Sequence, residues 1–329
     1  MSITQVAQQA GVSISTVSRY LRGTLNVSPS TAQKINEAAL HWGYTPRDDS
    51  DDDSAIALIV PSLVNPFYSS LCEDISKAAV AARFTVDIKL SHGDSGQEFR
   101  LVDDIAKERR YHGLLYAGFH RTNAALVRIR SAGLRLVLVD EQIDSISPSQ
   151  ISTVNVDNYS GAYQAVRYLL SLGHRRIAYL SGPEELSTSR ERLHGYSDAL
   201  SAAGIPTDRT IIFSGPYTEE FGSSIFTYLV QNTDPPTAIF CGSDISAVGI
   251  LGAAEQYGLK IPDDLSVIGC DGIHVGQWLK PSLTTLQQPM TDIAHSALRL
   301  LENNDTIQHI QLPLNLVIRG STRRLEDRQ

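Results

Sequence analysis

One short stretch near the start of the chain carries side chains suited to hydrogen bonding with the edges of DNA bases. Ser15, Thr16 and Ser18 bear short hydroxyl groups that allow close approach to the floor of a groove. Arg19 adds a forked pair of donors that matches the acceptors of guanine. These residues alternate with apolar positions at helical spacing, so the sequence predicts a helix whose exposed face reads DNA.

Motifs for catalysis are absent from the sequence. No Gly-x-Gly-x-x-Gly follows a predicted strand, and neither a Walker-type phosphate loop nor a Gly-x-Ser-x-Gly elbow occurs. The nine histidines and three cysteines show no Cys-x-x-Cys or His-Glu-x-x-His spacing, and the cysteines lie in apolar stretches typical of reduced, buried thiols. We therefore expect a protein that is not an enzyme and that uses no metal and no cofactor.

The helix with the DNA-reading face is the second of three helices predicted in residues 1–47. Gly11 ends the first helix, Ser13 caps the second, and Ser28 followed by Pro29 begins the third. Their apolar positions recur at helical spacing and are Val6, Ala7, Ala10, Val17, Leu21, Ala32, Ile35 and Ala39. A glycine turn between the first two helices is typical of a helix-turn-helix unit, although periodicity alone also fits a generic three-helix bundle.

Charge is distributed unevenly along the 329 residues. Residues 1–47 hold four basic side chains and one acidic side chain, a net charge of +3, whereas the whole chain carries −8, which leaves −11 for the rest. A cationic head on an acidic body indicates that only the head meets a polyanion. The N-terminus has no signal-peptide pattern and no apolar run reaches the length of a membrane span, so we expect a cytoplasmic protein without membrane contacts.

Short apolar strands alternate with predicted helices from residue 55 onward. The first series runs from the strand at 56–60 to the strand at 136–139. A second series follows the polar stretch 144–150, with strands at 151–156, 176–180, 210–213, 238–241 and 265–269. This alternation predicts two doubly wound, parallel α/β lobes. Because crevices outside the carboxyl ends of parallel strands collect small molecules, we expect a ligand between the lobes.

The predicted helix-turn-helix resembles the DNA-binding head of LacI/GalR-type bacterial transcriptional repressors. The resemblance rests on Ile3–Arg19, Asn26–Ser28 and Gly43–Pro46. It implies that the residues contacting base edges are Ile14, Ser15 and Arg19. It implies further that the residues contacting the DNA backbone, which sets the register, are Thr16, Ser18 and Asn26.

The linker at residues 48–54 departs from the family pattern. Similar repressors continue with a short hinge helix whose leucine wedges into the minor groove. This chain has instead Asp48-Asp49-Ser50-Asp51-Asp52-Asp53-Ser54, whose five aspartates repel one another and resist helix formation. Two interpretations remain open, an altered hinge and a flexible acidic tether that only joins the head to the body.

Residues 55–329 resemble the two-lobed effector-binding core of the same repressors, which is similar to periplasmic sugar-binding proteins. The matching motifs follow the family's order and are Asn65–Tyr68, Val156–Asn158, Leu172–Ile177, Arg192–Tyr196, Ser243–Asp244, Gly269–Asp271 and Pro281–Leu286. The resemblance implies three crossings between the lobes, the last near Gln287–Pro289. The first lobe would then comprise about 55–155 with 290–329, and the second about 156–287.

Two candidate effector-binding residues follow from their chemistry and position. Arg192 can give two parallel donors to a sugar hydroxyl pair, a carboxylate or a phosphate, or it forms a surface ion pair with Glu191 or Asp198; the resemblance places an arginine of the ligand cleft here. Asp271 follows an apolar strand, where an acceptor for hydroxyl groups belongs, or it caps a turn. Asp140 likewise ends a predicted strand.

Aromatic residues and family positions complete the predicted effector site. Phe67, Tyr68 and Tyr217 offer flat faces for stacking against a sugar or a purine, or they belong to the hydrophobic core. Trp278 either covers the rim of the cleft or is buried at the edge of a lobe. The resemblance further implies contacts from Asp157, Ser243, Asp244 and Gln288.

Together these features predict a DNA-binding transcriptional repressor whose operator affinity is controlled by a small effector bound between the lobes. As a homodimer, it would place two heads on the half-sites of a near-palindromic double-stranded operator. A sugar or sugar derivative is favoured because most similar proteins sense sugars, while a sugar phosphate and a nucleoside also fit the residues. The alternative is a ligand-sensing protein of the same fold that binds DNA weakly because the hinge helix is missing.

Overall fold

The chain divides into two compact units, Met1–Ser54 and Ala55–Gln329. A computed structural model describes residues 3–21, 25–42, 55–108, 110–118, 125–142, 150–303 and 306–325. The head belongs to the first unit, and the body forms the second. The acidic stretch 48–54, on which the two interpretations of the linker depend, lies outside the described residues.

The described part of the head contains three helices, α1 (Ile3–Ala10), α2 (Ile14–Leu21) and α3 (Pro29–Trp42). Gly11 adopts a left-handed φ of 67°, which lets the chain turn sharply between α1 and α2. The Ser13 hydroxyl accepts a hydrogen bond from the Thr16 amide at 3.1 Å, and the Ser28 hydroxyl caps α3 in the same way. The core of the head consists of Val6, Ala7, Ala10, Val17, Ile35, Ala38 and Ala39. The predicted helix-turn-helix is confirmed.

The body alternates strands and helices along its whole described length. In chain order the elements are β1 (Ala55–Val60), α4 (Pro66–Ala81), β2 (Thr85–Leu90), α5 (Ser95–Lys107), β3 (Tyr111–Tyr116), α6 (Leu126–Ser131), β4 (Arg135–Val139), β5 (Ser152–Val156), α7 (Asn158–Ser171), β6 (Ile177–Ser181), α8 (Ser187–Ala202), β7 (Ile212–Ser214), α9 (Glu219–Val230), β8 (Ala238–Cys241), α10 (Asp244–Gln256), β9 (Ser266–Asp271), β10 (Thr284–Gln287), α11 (Met290–Glu302), β11 (His309–Leu312) and β12 (Asn315–Val317).

The first lobe is built on a parallel sheet with the strand order β11-β5-β4-β3-β1-β2. β1 lies inside this sheet and every one of its residues is buried, as its uninterrupted apolar sequence predicts. Apolar residues of α4 and α11 cover one face, and those of α5 and α6 cover the other. Layers of helices on both faces confirm the doubly wound arrangement.

The second lobe repeats this design with the strand order β12-β10-β9-β8-β6-β7. Its strands are parallel except for β12, which pairs with β10 in antiparallel orientation. Apolar residues of α7 and α8 pack on one face, and residues of α9 and α10 pack on the other. The predicted strand at 210–213 is divided between a 3-10 turn at Arg209–Ile211 and the short edge strand β7.

The last crossing between the lobes lies later in the chain than predicted. The chain passes between the two sheets after β5, after β10 and again between β11 and β12, where Pro313 and Leu314 lie. The prediction that residues 290–329 all belong to the first lobe is therefore wrong for the final segment. β12 hydrogen-bonds to β10 through register pairs such as Thr285 and Val317, and this pairing covers an otherwise exposed sheet edge.

The segment after β12 stays on the second lobe. The buried Ser321 hydroxyl donates to the carbonyl of Val267 at 2.6 Å and accepts from the amide of Thr284 at 2.8 Å. The His174 ring makes a hydrogen bond with the Arg323 carbonyl oxygen at 3.1 Å. Over the described part of the chain, helices fall short of the length and hydropathy that a membrane span requires.

Candidate functional site

The predicted DNA-contacting residues lie on α2 and in the segment before α3. Ile14, Ser15 and Arg19 are exposed, and Ile14 retains 46% of its accessible surface although it is apolar. Thr16 and Ser18 are half-buried, whereas Val17 between them is fully buried in the core of the head. Asn26 is exposed and precedes α3. The structure thus presents five of the six predicted residues from one short helix.

Hydroxyl groups cluster at the beginning of α2. The Ser13 oxygen lies 2.9 Å from the Ser15 oxygen and 2.7 Å from the Thr16 oxygen. Asn36 of α3 donates to the Tyr20 hydroxyl at 3.3 Å, which ties the end of α2 to α3. A helix held in this way at both ends offers hydroxyl donors and one guanidinium to a groove with little loss of freedom on binding.

The body contains a crevice between its two lobes, at the carboxyl ends of strands from both sheets. We call it the interlobe crevice, and its lining residues are Asn65, Phe67, Tyr68, Asp140, Glu141, Leu186, Thr188, Arg192, Tyr217, Ser243, Asp271 and Gln288. Asn65 follows β1, Asp140 follows β4, Asp271 ends β9 and Gln288 follows β10. This is the position at which doubly wound sheets bind small molecules.

Most of the predicted effector-binding residues meet in the interlobe crevice, and they are Phe67, Tyr68, Arg192, Tyr217, Ser243, Asp271 and Gln288. The aromatic rings of Phe67 and Tyr68 contact each other edge to face, with centroids 4.9 Å apart. The Tyr217 hydroxyl lies 3.0 Å from the Ser189 hydroxyl. These rings are therefore both packed and exposed to the crevice, so the two alternatives given by the sequence do not exclude each other.

Two predicted effector-binding residues do not line the crevice. The Asp157 side chain accepts a hydrogen bond from the Ser160 amide at 2.9 Å and caps α7. Asp244 is fully buried, and one of its oxygens accepts hydrogen bonds of 2.8 Å from the amides of Gly272 and Ile273. Asp244 thus fixes the loop after β9 that carries Asp271, and a helix cap or a loop anchor explains each aspartate.

Arg192 is 3% exposed, so it is not the surface ion pair that the sequence left open. Its Nε donates to the Asn158 side-chain oxygen at 2.8 Å, and one terminal nitrogen donates to the Gly242 carbonyl at 2.6 Å and to the Tyr217 hydroxyl at 3.3 Å. Burial acts to lower the pKa of Arg192, but surrounding groups including Asp271 outweigh it and raise that pKa well above its ordinary value. Among the described residues of the crevice, Arg192 therefore supplies a fixed positive charge.

Two carboxyl groups face this arginine with raised pKa values. Burial is the largest cause for both: it raises the pKa of Asp140, with a further contribution from Glu141, to about 7. It also raises the pKa of Asp271 to about 7, although Arg192 acts in the opposite direction. Both aspartates have left-handed backbone angles, with φ of 73° at Asp140 and 132° at Asp271, and such strained conformations cluster at functional sites.

Several polar atoms in the crevice have unused acceptor capacity. One carboxylate oxygen of Asp140 and the side-chain oxygen of Gln288 are buried and find no hydrogen-bond partner among the described residues. The Gln288 nitrogen donates to Asp271 at 3.1 Å, which leaves the Gln288 oxygen directed elsewhere. Buried acceptors without partners are costly, so these atoms are suited to receive donors from a bound molecule.

Sequence reasoning did not assign Asn65, Glu141, Leu186 or Thr188 to the site, and it noted Asp140 only as a residue that ends a predicted strand. Asp140 and Glu141 directly follow a buried strand, so the strand-end rule that selected Asp271 selects them equally. Leu186 and Thr188 have no local signal, because only the fold brings the start of α8 to the crevice. Trp278 is 71% exposed and does not line the interlobe crevice.

A helix-turn-helix head and two α/β lobes around a polar crevice define the class of DNA-binding regulators that carry a ligand-binding body. Comparison with known proteins supports this class. Residues 2–47 match the family model of bacterial regulatory proteins of the lacI family, and residues 166–322 match the periplasmic binding protein-like domain.

Similar proteins share the whole architecture. The chain is 35% identical over 330 residues to the HTH-type transcriptional repressor CytR of Escherichia coli (strain K12), covering 97% of this chain and 96% of that protein. A solved complex of the regulator CelR with cellobiose superposes with a TM-score of 0.76 at 28% identity, over 98% of this chain and 99% of that one. A ribose-bound LacI family regulator from Enterococcus faecium superposes with a TM-score of 0.75 at 26% identity, over 83% of this chain and 100% of that one.

This chain therefore belongs to the LacI family of bacterial transcriptional regulators. It is a DNA-binding transcriptional regulator, and its family consists of regulators and not of enzymes.

Proposed function

We propose that this regulator binds its operator as a homodimer and that an uncharged, hydroxyl-rich effector in the interlobe crevice controls its affinity for DNA. The observation that carries the proposal is a pair of buried acceptors, on Asp140 and Gln288, that find no partner among the residues the structure describes, beside the acceptor Asp271. A ligand rich in hydroxyl donors satisfies these atoms. A sugar or a sugar derivative has this chemistry.

Charge disfavours a sugar phosphate as the effector. Among the described residues, three carboxyl groups line the crevice, from Asp140, Glu141 and Asp271, against the one guanidinium of Arg192. A phosphate would need neutralising cations, whereas the carboxyl groups of this lining repel an anion when they are charged. Two similar proteins are bound to uncharged sugars, cellobiose in one and ribose in the other, which supports the same class of effector here.

Operator recognition is assigned to the exposed face of α2. Two heads on one dimer would contact successive major grooves of a near-palindromic site, with Ile14, Ser15 and Arg19 toward base edges. Thr16, Ser18 and Asn26 would contact the DNA backbone and set the register. Because its partner is chromosomal DNA, we place the action of the protein in the bacterial cytoplasm.

The proposal is tested by titrating the full-length protein against the DNA upstream of its own gene, with random DNA as competitor and at several salt concentrations. The sugars added are cellobiose, ribose and glucose 6-phosphate. We expect competitor-resistant binding that an uncharged sugar alters and the phosphate does not. Binding no tighter than to random DNA would contradict the proposal and favour the alternative, a ligand sensor whose acidic linker has weakened the head.

A matched pair of variants assigns the effect to the crevice. Asp271→Asn replaces a buried carboxyl group that accepts hydrogen bonds, so the sugar concentration needed for the response should rise about tenfold or more. Asp157→Asn makes the same chemical change outside the crevice and preserves a good helix cap, so it should leave the response unchanged. An equal response of both variants and the wild type would contradict the assigned site.

A further inference from the structure

Glu141 reaches from the first lobe into the second. It lies just after β4, is 5% exposed, and its carboxylate contacts the start of α8. One oxygen accepts hydrogen bonds from the Ser187 amide at 2.9 Å and the Ser187 hydroxyl at 2.7 Å. The other oxygen accepts from the Thr188 amide at 3.3 Å and from the Thr188 hydroxyl. Four donors of one lobe thus converge on one carboxylate of the other.

The start of α8 depends on this contact because α8 has no cap of its own. Leu186 occupies the N-cap position, and its side chain cannot accept a hydrogen bond. By contrast, α7 is capped by Asp157 and α10 by Ser243, each from the adjoining residue in its own lobe. The first amides of a helix need acceptors, and they favour a negative charge. For α8 the acceptors and the negative charge both come from Glu141 of the opposite lobe.

Neighbouring atoms extend the contact. The Gln142 amide donates to the Ser187 hydroxyl at 3.3 Å, so the backbone after β4 also reaches α8. Asp140, with its left-handed φ of 73°, turns the chain immediately before Glu141. We call Glu141, Ser187 and Thr188 with these hydrogen bonds the Glu141 latch.

The latch lies at a crevice that is nearly filled by its own side chains. The cavity volume of the interlobe crevice is about 20 Å³, whereas ligand sites for small molecules usually measure about 300 Å³ or more. A space of this size holds about one water molecule. Glu141 and Thr188 are among the residues that line it, so a sugar fits in this space only if lining side chains of the two lobes move apart.

We propose that the Glu141 latch holds the lobes together when no effector is bound, so that effector binding must first break it. The latch is then an autoinhibitory contact, and Glu141 is a positioning residue that sets how often the crevice opens. The effect on effector binding rests on the proposed function, whereas the effect on lobe separation does not depend on which effector binds.

Lobe separation can be measured with spin labels on the full-length protein. Val64→Cys places one label after β1 in the first lobe, and Glu219→Cys places the other at the start of α9 in the second, since both positions are exposed. The native cysteines Cys72, Cys241 and Cys270 are buried and are not expected to take up label. Pulsed electron resonance then gives the distribution of distances between the lobes.

The latch predicts a short, narrow distance distribution for the otherwise unaltered protein and a longer, broader one for Glu141→Ala. A second variant, Ser187→Ala with Thr188→Ala, removes two of the four donors and should shift the distribution in the same direction, by less. Asp94→Ala is the matched control, since Asp94 caps α5 within the first lobe by accepting from the Gln97 amide. It should leave the lobe distance unchanged.

Identical distributions in the wild type and in both latch variants would overturn the proposal, as would a shift of equal size in the Asp94→Ala control. Binding of cellobiose and ribose separates this proposal from the proposed function. If one of them binds, Glu141→Ala should increase its association rate several-fold. If the lobe distance shifts but neither sugar binds any form, the latch stands and the assignment of an uncharged sugar as effector fails.

Discussion

Two arginines of this chain have opposite environments, and their environments decide what each can recognise. Arg19 is exposed on the short helix α2, where its guanidinium can follow a base edge into a groove. Arg192 is buried, and Asn158 and Gly242 fix its orientation before any ligand arrives. A guanidinium held by two partners has lost its conformational freedom in advance, so it can select a ligand by geometry.

Replacing Arg19 by alanine should weaken binding to the operator more than binding to random DNA. If Arg19 pairs with a guanine, the loss amounts to about 1–3 kcal/mol and is confined to one base position. Competition binding against single-base variants of the operator measures this. Lys34→Ala is the control, because Lys34 is exposed on α3. This substitution removes the same charge from the head as Arg19→Ala does. Equal losses on operator and random DNA would show that Arg19 contacts only phosphate.

Residue types at strand ends were a good guide to the crevice, but they did not distinguish ligand contacts from structural roles. The strand-end position selected Asp271, which lines the crevice, whereas the family resemblance selected Asp157 and Asp244, which do not line it. The distinction depends on whether a backbone amide lies within reach of the carboxylate, as at Ser160 for Asp157. A sequence pattern does not contain that distance.

At the scale of elements, helix capping distinguishes the carboxylates of the body that are already engaged from those that can bind a ligand. A carboxylate that already accepts hydrogen bonds from its own helix has little capacity left for a ligand, and this describes Asp157 at α7. Glu141 likewise accepts hydrogen bonds from the first amides of α8, although it lies far from α8 in the sequence and belongs to the other lobe. The first kind of cap stabilises one element, whereas the second couples two lobes.

Asp157→Ala should lower the stability of the protein without changing its response to effector. Loss of this N-cap costs about 0.5–2 kcal/mol, measured as a shift of the denaturation midpoint at constant slope. The effector concentration at half-response should equal that of the wild type. A loss of effector response at unchanged stability would mean instead that Asp157 contacts the ligand, as the family resemblance implied.

The segment that the sequence analysis placed in the wrong lobe contains the last strand, β12. Apolar runs and helix spacing predicted most of the alternating strands and helices, because each of those signals is local. The partner of β12 is not a local property, since the short segment Asn315–Val317 could extend either sheet by its sequence alone. The choice is made by the open edge of β10 and by the hydrogen bonds of Ser321 and His174 that follow it.

At the scale of the whole molecule, closure of the lobes brings acidic groups together. Asp140 and Asp271 share the crevice with Arg192, and Glu141, Glu191 and Asp244 add further negative charge nearby. In an open, hydrated crevice the two aspartates would have ordinary pKa values near 4. In the closed crevice burial raises the pKa of each to about 7. Closure is therefore coupled to the uptake of protons.

The sign of this coupling sets the expected pH dependence of closure. Because the closed form has the raised pKa values, protonation of the two aspartates stabilises the closed form relative to the open form. This stabilisation is complete below about pH 4 and is lost as the pH rises through about 7. Lowering the pH from 8 to 5.5 should therefore shift the distance between labels at positions 64 and 219 toward the short, closed value. Asp140→Asn combined with Asp271→Asn should remove most of this dependence, since neither amide titrates. A distance distribution that is the same at both pH values in the wild type would show that closure does not require protonated carboxyl groups, and that these aspartates remain charged beside Arg192.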